Sequence, residues 1–222
     1  MKNFLLILLL YCYISATGQN KTTENWSLFA SVATDYSYRK ISSIYDDYKW
    51  IIEERNNNEY PLLSYHTGLG LKYMLNEKYS FSFGFLFYNI GWKNKKSDFY
   101  NICKYRFISF PLDFEYNFSG SGKQTSFFLL MGMNINTIID SRYFYIYNES
   151  GNEHTDILTN TLETRTFMLG LHASPGITRK IYNKTMFSFN VDLNIFPTSV
   201  LNSDINEYLF SIALKLTISR NL

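Results

Sequence analysis

Cysteine is nearly absent from this chain, with two in 222 residues, Cys12 and Cys103. Cys12 lies in an N-terminal stretch that reads as a cleaved leader, so the exported chain would hold one thiol and no internal disulfide. Proline is equally scarce, at four, and that scarcity permits long strand ladders that a missing N–H would interrupt. Neither sign of charge dominates. The chain carries 21 Lys and Arg against 19 Asp and Glu, which leaves no basic field to attract nucleic acid. Beyond the N-terminus no apolar run approaches the roughly 20 residues that a membrane-spanning helix requires.

Alternation is what the chain has in abundance. In the last such stretch Phe210, Ile212, Leu214, Leu216 and Ile218 share one parity, and Ser211, Ala213, Lys215, Thr217 and Ser219 the other. Successive side chains of a strand point to opposite faces, so each stretch is a strand with one apolar and one wet face. Strands of soluble sandwiches run to about five or six residues, whereas a tilted bilayer-crossing strand takes about 9–11. Here the apolar parity is also the bulkier. That pattern predicts an all-β fold: a transmembrane antiparallel up-and-down barrel with lipid outside and polar side chains within. The 19 Tyr and 19 Phe fit strands and interfacial girdles.

The N-terminus agrees with export. Lys2, the apolar run Phe4–Ile14 and the small residues of Ala16-Thr17-Gly18 make a signal peptide over 1–18, leaving 19–222 as the barrel domain. Tyr11 before Cys12 argues against lipoprotein processing, which wants a small residue there.

Eight strands follow in order: Trp26–Tyr38, Leu63–Leu75, Tyr79–Gly91, Lys104–Phe118, Ser126–Ile138, Thr166–Lys180, Met186–Phe196 and the final stretch from Phe210. Their connections alternate long and short. Arg39–Pro61, Lys93–Asp98, Ile139–Arg165 and Pro197–Asn206 are the long ones. Asn76-Glu77-Lys78, Ser119–Lys123 and Tyr182-Asn183-Lys184 are the short turns. This is the asymmetry of outer-membrane barrels, with long loops outside the cell and turns in the periplasm. Ten strands result if the first loop hides a further hairpin. Within the longest loop, Tyr143–Tyr147 and Asp156–Leu162 alternate, so the flanking strands are expected to continue above the membrane.

Five inward charges, Lys72, Asp113, Glu115, Asp192 and Lys215, fall on the periplasmic half of the lumen. Burying them singly would cost several kcal/mol apiece, so they are expected to pair across an interior just wide enough for side chains to fill. The alternatives that use the same interior are a small-solute channel and an enzyme. His172-Ala173-Ser174 has the His-x-Ser spacing of outer-membrane lipid A deacylases, and period two sets base and nucleophile on one face. Against catalysis, both residues point inward, away from lipid, and no carboxylate follows nearby in the strand to orient the imidazole. His66 and His154 match no metal spacing, so neither metal nor cofactor is expected.

Strand four reads Phe107-Ile108-Ser109-Phe110-Pro111-Leu112-Asp113-Phe114-Glu115-Tyr116. This resembles the aromatic-x-x-x-Pro-Leu-x-x-x-Tyr strand of the PorT-like outer-membrane barrels of Bacteroidota. The next strand's early glycine in Phe127–Gly132 and the later Gly170–Ile177 are similar to the same family. Pro111 should mark a bulge or a weakly paired ladder position. The chain departs from usual barrels in ending Ser219-Arg220-Asn221-Leu222 rather than on an aromatic. The resemblance implies an integral outer-membrane barrel with a structural or interaction role carried by its loops, and an accessory part in protein secretion. Its expected partners are outer-membrane lipids, lipopolysaccharide and other envelope proteins, with no nucleic acid.

Overall fold

Eight of the strands close into a ring because each apolar face needs lipid and each backbone edge needs a neighbour. In the computed structural model the described residues are 25–43, 45–96, 99–119, 124–149, 152–159, 164–182, 184–201 and 203–222. The expected signal peptide, 1–18, lies outside them, as do parts of the turns at 119–123 and 182–184. The strands are β1 (Trp26–Ser43), β2 (Glu59–Met74), β3 (Tyr79–Lys96), β4 (Phe99–Asn117) and β5 (Thr125–Glu149). They continue with β6 (Asn152–Thr159), β7 (Phe167–Tyr182), β8 (Thr185–Phe196) and β9 (Ile205–Asn221). Every neighbouring pair is antiparallel, and β1 meets β9 to complete the ring.

The outward parity is the one read from the sequence. Phe81, Phe83, Phe85 and Phe87 on β3, Ile108, Phe110 and Leu112 on β4, and Ile212, Leu214 and Leu216 on β9 are all exposed. Girdle rings pack at the periplasmic rim, where Trp26 lies 4.8 Å from Tyr73 and Tyr79 lies 5.2 Å from Tyr116.

Pro111 interrupts a ladder without shifting it. Pairing of β3 with β4 lapses between Phe83↔Leu112 and Leu86↔Ser109, then resumes in the same register. Pro175 does the same between β7 and β8, between Ala173↔Leu193 and Gly176↔Asn190. A residue with no N–H weakens two rungs but leaves the antiparallel register unchanged.

Among the described residues the first loop holds no hairpin, so the ring keeps the eight strands expected rather than ten. Three features go beyond or against the sequence reading, the first being what that loop does hold. It begins with the top of β1, turns through a short 3-10 segment (Asp46–Tyr48), forms helix α1 (Lys49–Asn58) and returns directly into β2. Its apolar residues, Trp50, Ile51 and Ile52, are consecutive and the rest is polar, so it shows no helical periodicity to find. Asn56 anchors it by accepting from the Ile41 N–H and donating to the Ile41 carbonyl. The second concerns the longest connection, Ile139–Arg165: β5 continues above the membrane as expected, unbroken for 25 residues, but β6, which pairs with its upper part from Arg142↔Thr159 to Glu149↔Asn152, is not an upward continuation of the next ring strand. β6 is a ninth strand standing outside the ring, and the barrel resumes only at β7. The third is a bulge opposite Arg106 and Phe107, which pair with Asp140 and Ile138 and leave Ile139 extra. An extra residue switches parity, so above it Tyr143 turns to the inner side.

The lumen is not polar throughout. Its extracellular half is packed by Ile90, Tyr105, Phe107, Met168, Phe196 and Leu209, all buried. No helix among the described residues is long and apolar enough to cross a membrane; this chain crosses with strands.

Candidate functional site

Register decides which inward residues meet, and it resolves the charged interior into tiers. Nearest the periplasm, Lys72 Nζ donates to Glu115 Oε1 at 2.6 Å, reaching across β3. One tier higher, Lys215 Nζ lies 3.9 Å from Asp192 Oδ2. Asp113 has no lysine. Its Oδ1 lies 3.0 Å from His172 Nε2, and its Oδ2 accepts from Ser82 at 3.3 Å. The five charges expected to pair are thus joined by a sixth group, His172.

The Asp113–His172 contact depends on Gly132. Asp113 on β4 is opposite Gly132 on β5, and Gly132 is opposite His172 on β7. The two side chains meet over the one residue between them. A Cβ there would sit 2.5 Å from Asp113 Oδ1 and 2.8 Å from His172 Cε1. Glycine is required by a close approach of side chains, not by backbone freedom.

His172 and Ser174 share a face, as period two demands, yet they do not form a base–nucleophile pair. Ser174 Oγ donates to Asp192 at 2.5 Å and accepts from Asn190 at 2.8 Å, while His172 turns to Asp113. Two carboxylates lie within reach of the pair, neither in the segment directly following it: Asp113 faces the imidazole and Asp192 takes the hydroxyl. Both residues are buried in the lumen, away from lipid.

A second polar cluster sits at mid-height. His66 Nδ1 lies 2.8 Å from Asp35 Oδ2, and Tyr88 donates to Asp35 Oδ1 at 3.0 Å and touches Ser211 at the same distance. The His66 ring stacks on Tyr88 with centroids 4.5 Å apart. These residues are visible in the sequence only as inward positions.

The third cluster, near the cell exterior, was missed because Arg39 and Glu59 fell within the first loop of the sequence reading. Arg39 is clamped between Glu59 and Glu207; its Nε donates to Glu59 Oε2 at 2.7 Å. Its guanidinium lies 3.5 Å from the centre of the Trp92 ring. Tyr105 donates to Glu207 at 2.7 Å, and the free thiol of Cys103 is buried nearby. Planar guanidinium suits this double clamp and ring stacking together. Above it opens a cavity of about 630 Å³ between α1 and the upper walls of β3, β4 and β5. Among the described residues no group of three or more His, Cys, Asp or Glu is placed to hold a metal ion.

A closed ring with an apolar belt, aromatic girdle and paired polar lumen defines an outer-membrane β-barrel. The family model of the outer membrane protein beta-barrel domain matches residues 16–199. The chain belongs to that family, and its place is the outer membrane. Among solved structures it is similar to Neisserial surface protein A, NspA, with a TM-score of 0.53 at 12% identity over 89% of this chain and 97% of that one. It is also similar to the outer membrane protein OprG from Pseudomonas aeruginosa, with a TM-score of 0.48 at 12% identity over 90% and 97%. No curated protein matches the chain.

Proposed function

We infer that this protein is a closed barrel with a structural or interaction role carried by its extracellular end. The observation that supports the reading is the division of labour along the axis. The lumen is filled from wall to wall, with Tyr88, Tyr105, Phe107 and Phe196 fully buried across it, while α1 and the β5–β6 hairpin stand at the exposed end. An eight-stranded interior filled in this way has no room for a solute path. The partners are outer-membrane lipids, lipopolysaccharide and other envelope proteins. The resemblance to PorT-like barrels of Bacteroidota adds an accessory part in protein secretion.

The test is a mutant lacking the protein, assayed together for secreted proteins and for lipid A structure, with purified protein examined in planar bilayers. Reduced secretion with unchanged lipid A and no stable conductance is the expected result. Steady wild-type conductance would overturn the reading in favour of a channel. A lipid A change reproduced by Ser174→Ala would overturn it in favour of a hydrolase.

A further inference from the structure

The cavity at the extracellular mouth has the chemistry of a binding site. Its volume of about 630 Å³ falls within the ~300–1,000 Å³ of small-molecule sites. Its floor is the Arg39 clamp, whose charge is already answered by two carboxylates.

Three polar atoms around it are buried and have no hydrogen-bond partner among the described residues: Trp92 Nε1, Asn94 Oδ1 and Asn101 Oδ1. Asn94 and Asn101 are direct cross-strand neighbours between β3 and β4, and Trp92 lies one pleat deeper on the same face. Trp92 is itself only 6% exposed. A buried polar group without a partner is unfavourable, so three on one wall favour a ligand with both donors and acceptors.

The remaining walls are aromatic. Trp50 on α1, which is 66% exposed, Phe99 on β4 and Tyr143 on β5 line the space. The charged lining is Arg39 and Arg55 against Glu54, Glu59 and Glu207, with no positive excess to select an anion. Aromatic faces for an apolar ring surface, amides for hydroxyls and no net positive field together describe one ligand chemistry.

We propose that the mouth cavity binds a neutral pyranose saccharide, its ring against Trp50 and Phe99 and its hydroxyls on Asn94, Asn101 and the Trp92 indole N–H. This rests on the reading that the extracellular end carries the protein's interactions, and it names what that end takes hold of. Sugar hydroxyls both donate and accept, which matches one indole donor beside two amide acceptors.

The test uses the folded full chain in detergent, titrated with chitotriose and maltotriose and followed by tryptophan fluorescence. Two of the three tryptophans, Trp50 and Trp92, line the cavity. Saturable binding of either trisaccharide is expected, weakened roughly tenfold by Trp50→Ala and by Asn101→Ala, with both variants keeping the heat-modifiable migration of the folded barrel. Competition by lipopolysaccharide micelles would place the sugar on a glycolipid; its absence, with trisaccharide binding intact, would place it on a free oligosaccharide. The proposal is overturned if folded wild-type protein binds no neutral oligosaccharide on a glycan array, or binds only sulfated or phosphorylated ones. Equal binding by both variants overturns it as well. Bilayer conductance measured on the same preparation reports separately on the closed-barrel reading.

Discussion

At the scale of single residues, one strand holds two neighbours with opposite duties. Leu214 is 54% exposed to lipid, and Ala213 is 1% exposed within the lumen between Asp35 and Asp192. Leu214→Arg, near mid-membrane, is expected to destabilise by about 2–4 kcal/mol. Ala213→Ser is expected to be mild, because a hydroxyl there has carboxylates beside it. Equal losses in urea unfolding from lipid vesicles would mean that the face assignment of β9 is off by one residue. Ser174 illustrates how the tertiary contact revises an expectation drawn from position alone. As simple lumen filling its hydroxyl would be dispensable, but it donates to Asp192 and accepts from Asn190. Ser174→Ala should therefore lower stability by about 1–3 kcal/mol. A midpoint identical to wild type would refute that role. Arg39→Met leaves Glu59 and Glu207 facing each other without their cation, and a loss of about 3–5 kcal/mol is expected. Recovery on adding Glu59→Gln and Glu207→Gln would attribute the loss to stranded charge rather than lost packing.

At the scale of elements, the barrel proper and its extracellular additions are separable. β7 pairs with β5 only from Thr125 to Thr137, and β6 pairs with β5 only from Arg142 upward. Protease added to intact cells should therefore cut within residues 150–165 and spare Asn76–Lys78, leaving a fragment that still migrates as a folded barrel. Cleavage at Asn76–Lys78 in intact cells would invert the topology. Gly132 belongs to this scale too, since it governs how three strands share one contact. Gly132→Ala places a Cβ 2.6 Å from the Leu112 carbonyl oxygen as well as against Asp113, so β4 and β5 must separate or the Asp113–His172 contact must break. Heat-modifiable migration should then be lost at a lower temperature than in wild type.

At the scale of the whole molecule, closure is the property that matters. A ring of eight strands has no free edge, and under the closed-barrel function proposed above the filled lumen is expected to make it a post in the membrane rather than a passage. Purified protein should sit silent in planar bilayers. Lys215→Met is the informative variant: it removes the cation beside Asp192, so a small leak or a lowered unfolding temperature is expected. If neither appears, the lumen charges do not act as a plug.

Much of this fold was legible along the chain because bilayer crossing is written locally. Period two, strand length and the placement of Phe and Leu on one parity depend only on residues close in sequence. The eight ring strands, their order and their lipid face follow from those alone. The mouth was not legible. Helix α1 has its apolar residues side by side and so no helical period, and the bulge at Ile139 reverses the parity of the continuing strand with no mark in the sequence. The site partners were half legible. Inward residues could be named, but a pair such as Arg39 and Glu207 is separated by 168 positions. Which inward side chains meet depends on strand stagger and on where a glycine lets two of them pass. Stagger is a property of the closed ring, fixed only when β1 finds β9, and no local pattern encodes it.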